Sequence, residues 1–179
     1  VGSWSRLAAM DGLETLTFAA VEANNRLSPG YFDSELCVRI IGGLLKQLSE
    51  KLDSIRARAG MCLTRILTSI CPVVPFIPRR EYLLNALGLT EKIQINWSNA
   101  ESTFRLVMNA GCVDEFFYDI IKGLVPSVGG LAKSVARYSE EALLAWTRDI
   151  DNPNRANQLG MTMLDIFQRN QNNQPTQVL

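Results

Sequence analysis

The sequence predicts an all-α fold: a HEAT- or armadillo-like α-solenoid of about eight helices with one proline-rich extended connector. Three observations lead there. Apolar residues recur at helical spacing along most of the chain, proline, glycine and asparagine punctuate that pattern at short intervals, and a short motif returns further along. Arg6-Ala9-Leu13 is matched by Arg56-Ala59-Leu63, 50 residues on, close to the roughly 40–47 of HEAT and armadillo units. Asp53 leads the second copy where Ser3 leads the first, and Ser134 to Arg137 with Ala142-Leu143 is a looser echo.

Ala9, Leu13, Leu16 and Ala20 mark a first helix over about 3–23, ended by Asn24-Asn25 and Pro29-Gly30. Cys37, Ile41, Leu44, Leu48 and Leu52 form a wide apolar face over about 33–52, capped by Asp33 or Ser34. Ile55, Ala59, Cys62, Ile66 and Ile70 mark a third helix, about 54–70.

The pattern then changes. Prolines at 72, 75 and 78 remove backbone donors and push the preceding residues to extended geometry, so residues 71–79 read as a connector. A period of three suits polyproline II and an SH3-like groove. Val73, Val74, Phe76 and Ile77 are too apolar to stand free in water, so the preferred reading packs the connector on the solenoid.

A short helix over about 80–87 stops at Gly88, and Ile93, Ile95 and Trp97 alternate as a half-buried extended stretch. Ser98-Asn-Ala-Glu101 is a capping-box pattern opening a helix of about 99–109, with Phe104, Val107 and Met108 inward and Gly111 as C-cap. Phe117, Ile120, Ile121 and Leu124 define a helix of about 115–125 with Pro126 at its end. After Gly129-Gly130, Val135, Ala142, Leu143 and Trp146 define one over about 132–147. Asn152-Pro153 caps and starts the last, about 153–169, with Leu159, Met163, Ile166 and Phe167 inward. Residues 168–177 read as a polar Gln/Asn-rich loop, and Val178-Leu179 as the start of a further helix.

All 179 residues are read as a single helical-repeat domain, and the missing initiator Met suits a fragment of a longer protein or a cleaved tag. Lys plus Arg equals Asp plus Glu, 18 each, which is not the electrostatic footprint of a nucleic-acid binder. The apolar runs fall short of the roughly 18 residues of a membrane span, and no signal peptide is visible. With no histidine in the chain, a Ser-His-Asp or Cys-His arrangement cannot be built. Cys37, Cys62, Cys71 and Cys112 form no C-x-x-C pair and sit among apolar neighbours, so they read as reduced core thiols rather than metal ligands. Gly129-Gly130 precedes Lys133-Ser134, but Ser127 stands where a phosphate loop needs its first glycine. Asp149 with Asp151, and Glu140 with Glu141, read as solvated carboxylates. No catalytic, cofactor or metal residues are expected.

Several stretches together carry a family resemblance. Val1-Gly-Ser-Trp-Ser-Arg-Leu-Ala-Ala-Met10, Ser49-Glu-Lys-Leu-Asp-Ser-Ile-Arg-Ala-Arg-Ala59, Val74-Pro-Phe-Ile-Pro-Arg-Arg-Glu81, Asn96-Trp-Ser98, and Gly123-Leu-Val-Pro-Ser-Val-Gly-Gly-Leu131 with Ala136-Arg137 follow in order. No single one is specific, but their succession resembles the C-terminal region of the tubulin-folding cofactor D family. That resemblance implies a cytoplasmic, cytoskeleton-associated chaperone segment, non-catalytic, monomeric, and acting on β-tubulin. It also implies tubulin-folding cofactors C and E and an ADP-ribosylation-factor-like small GTPase as partners in making and dismantling the αβ-tubulin heterodimer. Tubulin's acidic surface makes Arg79 and Arg80, beside the connector, and Lys133 with Arg137, one turn apart, the candidate partner-binding cations. The alternative is a HEAT-type spacer, or an adaptor for an unrelated protein.

Overall fold

The computed structural model describes residues 2–27, 30–91, 94–130, 132–150 and 152–170. Among the described residues there are eight helices and no strand: α1 Ser3–Arg26, α2 Ser34–Leu48, α3 Asp53–Thr68, α4 Arg80–Ala86, α5 Ala100–Ala110, α6 Asp114–Val128, α7 Lys133–Thr147 and α8 Arg155–Asn170. The all-helical architecture is that of a HEAT-like array. In one layer α6 lies between α2 and α8; in the other α1 lies beside α3 and α5 beside α7, with short α4 bridging α3 and α5.

The helix faces explain the layers. Ile41, Leu44, Leu45 and Leu48 of α2 and Phe116, Phe117, Ile120, Ile121 and Leu124 of α6 are all buried in one continuous core. The two helices meet unusually closely: a Cβ on Gly123 would overlap the Lys46 carbonyl oxygen, and Ser127 Oγ donates to the Ser49 carbonyl at 3.4 Å. On α3, Gly60 leaves room for the Trp97 indole, which lies flat against its backbone.

The repeated arginines act as a pair. Arg6 on α1 reaches the Glu50 carboxylate at 2.6 Å, and Arg56 on α3 donates to the Glu50 and Lys51 carbonyls at 2.9 and 2.8 Å. Arg56 also binds Asp53 Oδ1 at 2.5 Å and the Ser98 carbonyl at 2.6 Å, and its plane lies 5.4 Å from the Phe104 ring centre. Burial pulls its pKa down, and hydrogen bonding and attraction to Asp53 push back. The α2–α3 turn is thus clamped by equivalent arginines from neighbouring helices. Arg137, the looser echo, plays no such part; it is exposed beside Glu141.

Several sequence expectations shift. Helix α2 ends at Leu48 rather than residue 52, because Glu50 and Lys51 turn to offer Arg56 their carbonyls. Its cap is Asp33, accepting from the Leu36 amide at 2.8 Å. Helix α5 is capped by Asn99, not Ser98, since the Ser98 carbonyl is turned to Arg56. Helix α6 continues through Pro126 to Val128; in a final turn, proline forfeits only one amide donor. Helix α8 begins at Arg155, two residues later than expected, after a turn at Pro153-Asn154. Gly88 stops α4 as expected: its φ of +69° lets the Leu89 amide reach back to the Leu84 carbonyl at 2.7 Å.

Two helix faces were misjudged. Helix α1 buries Met10, Thr17 and Val21 and packs the expected Leu13 and Ala20 on the core, but leaves Ala9 and Leu16 exposed. On α8, Ile166 is buried and Leu159 packs on the core, while Met163 and Phe167 are exposed. Of the expected polar loop, residues 168–170 belong to α8. Its remainder at 171–177, with Val178-Leu179, Pro29, Ile93 and Asp151, lies outside the described residues.

Candidate partner-binding surface

Residues 69–79 carry no helix, and their shape is set by Arg80. The end of α3 leaves carbonyls without amide partners. The Arg80 guanidinium takes the Leu67 carbonyl through Nε at 3.0 Å and Nη2 at 2.6 Å. It also takes Ser69 at 3.2 Å and Val74 at 3.4 Å. Ser69 Oγ closes the loop onto the Pro72 carbonyl at 2.7 Å. Val74 and Ile77 point into the core, while Ile70, Val73 and Phe76 face out. The backbone at Phe76 (φ +63°) and at Arg79 (φ +46°) is left-handed and incompatible with polyproline II geometry.

Arg79 and Arg80 therefore part company. Arg80 is half-buried and spent on carbonyls. Arg79 is exposed, arching over the Tyr82 ring at 4.4 Å and donating to the Cys112 carbonyl at 2.9 Å. Lys133 opens α7 and is exposed. Arg137, one turn later, is also exposed, beside Glu141 at 3.5 Å and over the Tyr138 ring at 5.0 Å.

The four cations do not make one patch. Trp146, near the C-terminal end of α7, is covered by Arg155 at 4.9 Å from its ring, and Arg155 Nη2 reaches Cys112 Sγ at 3.1 Å. Arg79 thus shares the Cys112 corner with the far end of α7. Lys133 lies 13 residues before Trp146, which at helical rise is about 20 Å away.

Between α5 and α7 runs a cleft of about 340 Å³, lined by Arg105, Ala142, Ala145, Trp146, Asp149 and Arg155. A second, of about 240 Å³, shares Arg105 and Ala145 and adds Glu101, Tyr138 and Glu141. Asp149, read from sequence as a solvated carboxylate, pairs with Arg155 at 2.6 Å. Arg58 pairs with Asp11 of α1 at 3.1 Å. Sequence reasoning missed the Arg155 cluster entirely, because a six-residue Asp-to-Arg separation has no helical meaning until the 149–155 turn folds.

Among the described residues no three His, Cys, Asp or Glu side chains stand close enough to hold a metal ion. Burial pushes the Cys37 thiol up to about 11 and, with Glu14 nearby, Cys62 up to about 12, so both are inert core thiols. The other two cysteines differ from expectation: Cys71 is exposed on the connector and Cys112 half-buried beside Arg155. No helix among the described residues is long and apolar enough to cross a membrane.

A family model, tubulin folding cofactor D C terminal, matches residues 38–178, from within α2 past the end of α8. All four cations, the connector and both clefts lie inside that span. No solved structure matches the chain.

Proposed function

This chain belongs to the tubulin folding cofactor D C-terminal family, and on that premise we propose that it is a non-catalytic scaffold segment binding β-tubulin and partner cofactors. The tubulin-folding chaperone role comes with the family. The finer reading is that the segment is cytoplasmic and cytoskeleton-associated and works as a monomer. It holds β-tubulin while the αβ heterodimer is assembled or taken apart, alongside tubulin-folding cofactors C and E and an ADP-ribosylation-factor-like small GTPase.

The observation that carries this is the family match across seven of the eight helices. Supporting it, the helical array offers extended surface rather than a catalytic pocket, as repeat scaffolds do. Of the four candidate cations, Arg79, Lys133 and Arg137 are exposed and can meet an acidic partner, acting mainly on encounter rate and salt dependence. Arg80 serves the same contact indirectly, by holding the connector from which Arg79 projects.

Size-exclusion chromatography of the chain with purified αβ-tubulin, at low and high salt, tests the reading. Co-elution that weakens at high salt is expected, and Arg79→Glu combined with Lys133→Glu should weaken it further. Absence of co-elution at low salt would sink tubulin binding by this segment and favour the spacer.

A further inference from the structure

Exposed apolar side chains are scattered over the described residues, with Trp4 and Leu16 on α1 and Met161, Met163, Leu164 and Phe167 on α8. Three others fall close together on one non-helical loop. Ile70, Val73 and Phe76 are 88%, 52% and 54% exposed, on a loop in the middle of the chain. No charged residue occurs between Arg65 and Arg79, so nothing in the segment draws these side chains towards water. Their neighbours Val74 and Ile77 are buried, so the loop sorts its apolar residues into an inner and an outer set.

The outer set is held out at a cost. Phe76 has φ +63°, a left-handed conformation that disfavours any residue with a Cβ by roughly 1–2 kcal/mol and that glycine adopts freely. The Phe76 ring stacks on core Phe32 at 6.5 Å on one side and leaves 54% of the residue open to solvent on the other. Non-glycine residues in such conformations concentrate at ligand clamps and binding sites. Nor is the loop slack: Arg80 grips carbonyls on both sides of it, and Ser69 ties to Pro72. A rigid apolar projection avoids the ordering cost of binding. Its flank, Arg79 stacked on Tyr82, supplies residue types enriched among interface hot spots.

We propose that Ile70, Val73 and Phe76 form a preorganised apolar anchor that seats in a pocket of the tubulin partner, with Arg79 facing carboxylates on the pocket rim. This rests on the tubulin-binding reading above. The partner chemistry follows from the loop: an apolar pocket for the projecting side chains, and negative charge opposite the one exposed cation that ends the uncharged stretch. The departure from polyproline II at Phe76 sets this apart from a proline-groove ligand.

The test measures affinity of the 179-residue chain for αβ-tubulin and compares Phe76→Gly with Met161→Ser. Glycine removes the ring and relieves the backbone, so its melting temperature should not fall, and lost binding cannot be ascribed to unfolding. Phe76→Gly should weaken binding at least about tenfold, and Met161→Ser should leave it unchanged. Cys71, exposed in the same loop, should also become protected from maleimide in the complex. If the unaltered chain binds while Phe76→Gly binds equally and Cys71 stays reactive, the anchor is wrong and the scaffold reading survives. If the unaltered chain does not bind, both are wrong.

Discussion

Two of the non-helical stretches between helices, residues 69–79 and 94–99, are each fastened by one arginine from a neighbouring helix. Arg80 grips the first through the Leu67, Ser69 and Val74 carbonyls. Arg56 grips the second through Ser98. The two then use their aromatic side chains in opposite ways. Trp97 turns inward until its ring lies on the backbone of Gly60, whereas Phe76 turns outward through a left-handed backbone. One guanidinium device can therefore serve either end, and what decides is whether the facing helix leaves a hole. Gly60 provides one for Trp97, whereas Phe76 meets the ring of Phe32 and stays half exposed.

Substitutions that attack the inward stretch should be the most damaging. Arg56→Met removes bonds to three carbonyls and a carboxylate from a side chain that is 1% exposed. A loss of about 3 kcal/mol is expected, given the cost of orphaned buried acceptors. For a chain of this length that lowers the melting temperature by about 10 °C, readable by circular dichroism. Gly60→Ala drives a methyl into the Trp97 ring and should cost about 2–3 kcal/mol as overpacking. If Gly60→Ala melts like the unaltered chain, Trp97 does not occupy the groove described.

Attacks on the outward stretch should cost less. Arg80→Met should lose about 1–2 kcal/mol by chemical denaturation, since the Arg80 side chain is only half-buried and water can replace part of its bonding. Its larger effect should be a weaker grip on tubulin, through a loosened connector. The thiols report the same contrast without substitution. Cys71 should react with a thiol reagent at pH 8, while Cys37 and Cys62, pushed up by burial to about 11 and about 12, should react only on unfolding. Those two folded values lie above the ordinary 9.0, so the neutral thiols contribute stability that is whole below pH 9. It drains as pH rises to about 11 and then about 12, and the melting temperature should fall across that window. Smallest of all, Arg79→Glu should change stability by no more than about 0.5 kcal/mol, as exposed charges do, while slowing association with tubulin.

What the sequence disclosed follows from how far each signal reaches. The faces of α2, α3, α5 and α6 were legible because their strong periodicity is local, except at Leu52 and Ile70, which lie past the ends of α2 and α3 and are exposed; the Asp33 cap and Gly88 stop were legible for the same reason. The cap of α5 was not, because the choice of Asn99 over Ser98 is made by Arg56, 42 residues away. Helix α1 misled because its apolar residues are spread around the wheel, so that Thr17, whose hydroxyl returns to the Leu13 carbonyl at 2.7 Å, could enter the core in place of Leu16. Arg79 and Arg80 are chemically identical neighbours. Only the position of the α3 carboxyl end tells which is structural, and no composition or spacing rule contains that information.

The close crossing of α2 and α6 bears on how the chain comes apart. In an ideal repeat array each unit touches only its neighbours, so stability is additive and the array can open unit by unit. Here α2 rests directly on α6, with α3, α4 and α5 threaded between them in sequence. Opening α6 strips α2 of a face that no nearer helix can cover, so these segments should exchange their amides together, as one cooperative block. Helices α1 and α8, outside that crossing, are free to fray on their own. The contact also joins residues far apart along the chain, an arrangement that slows folding.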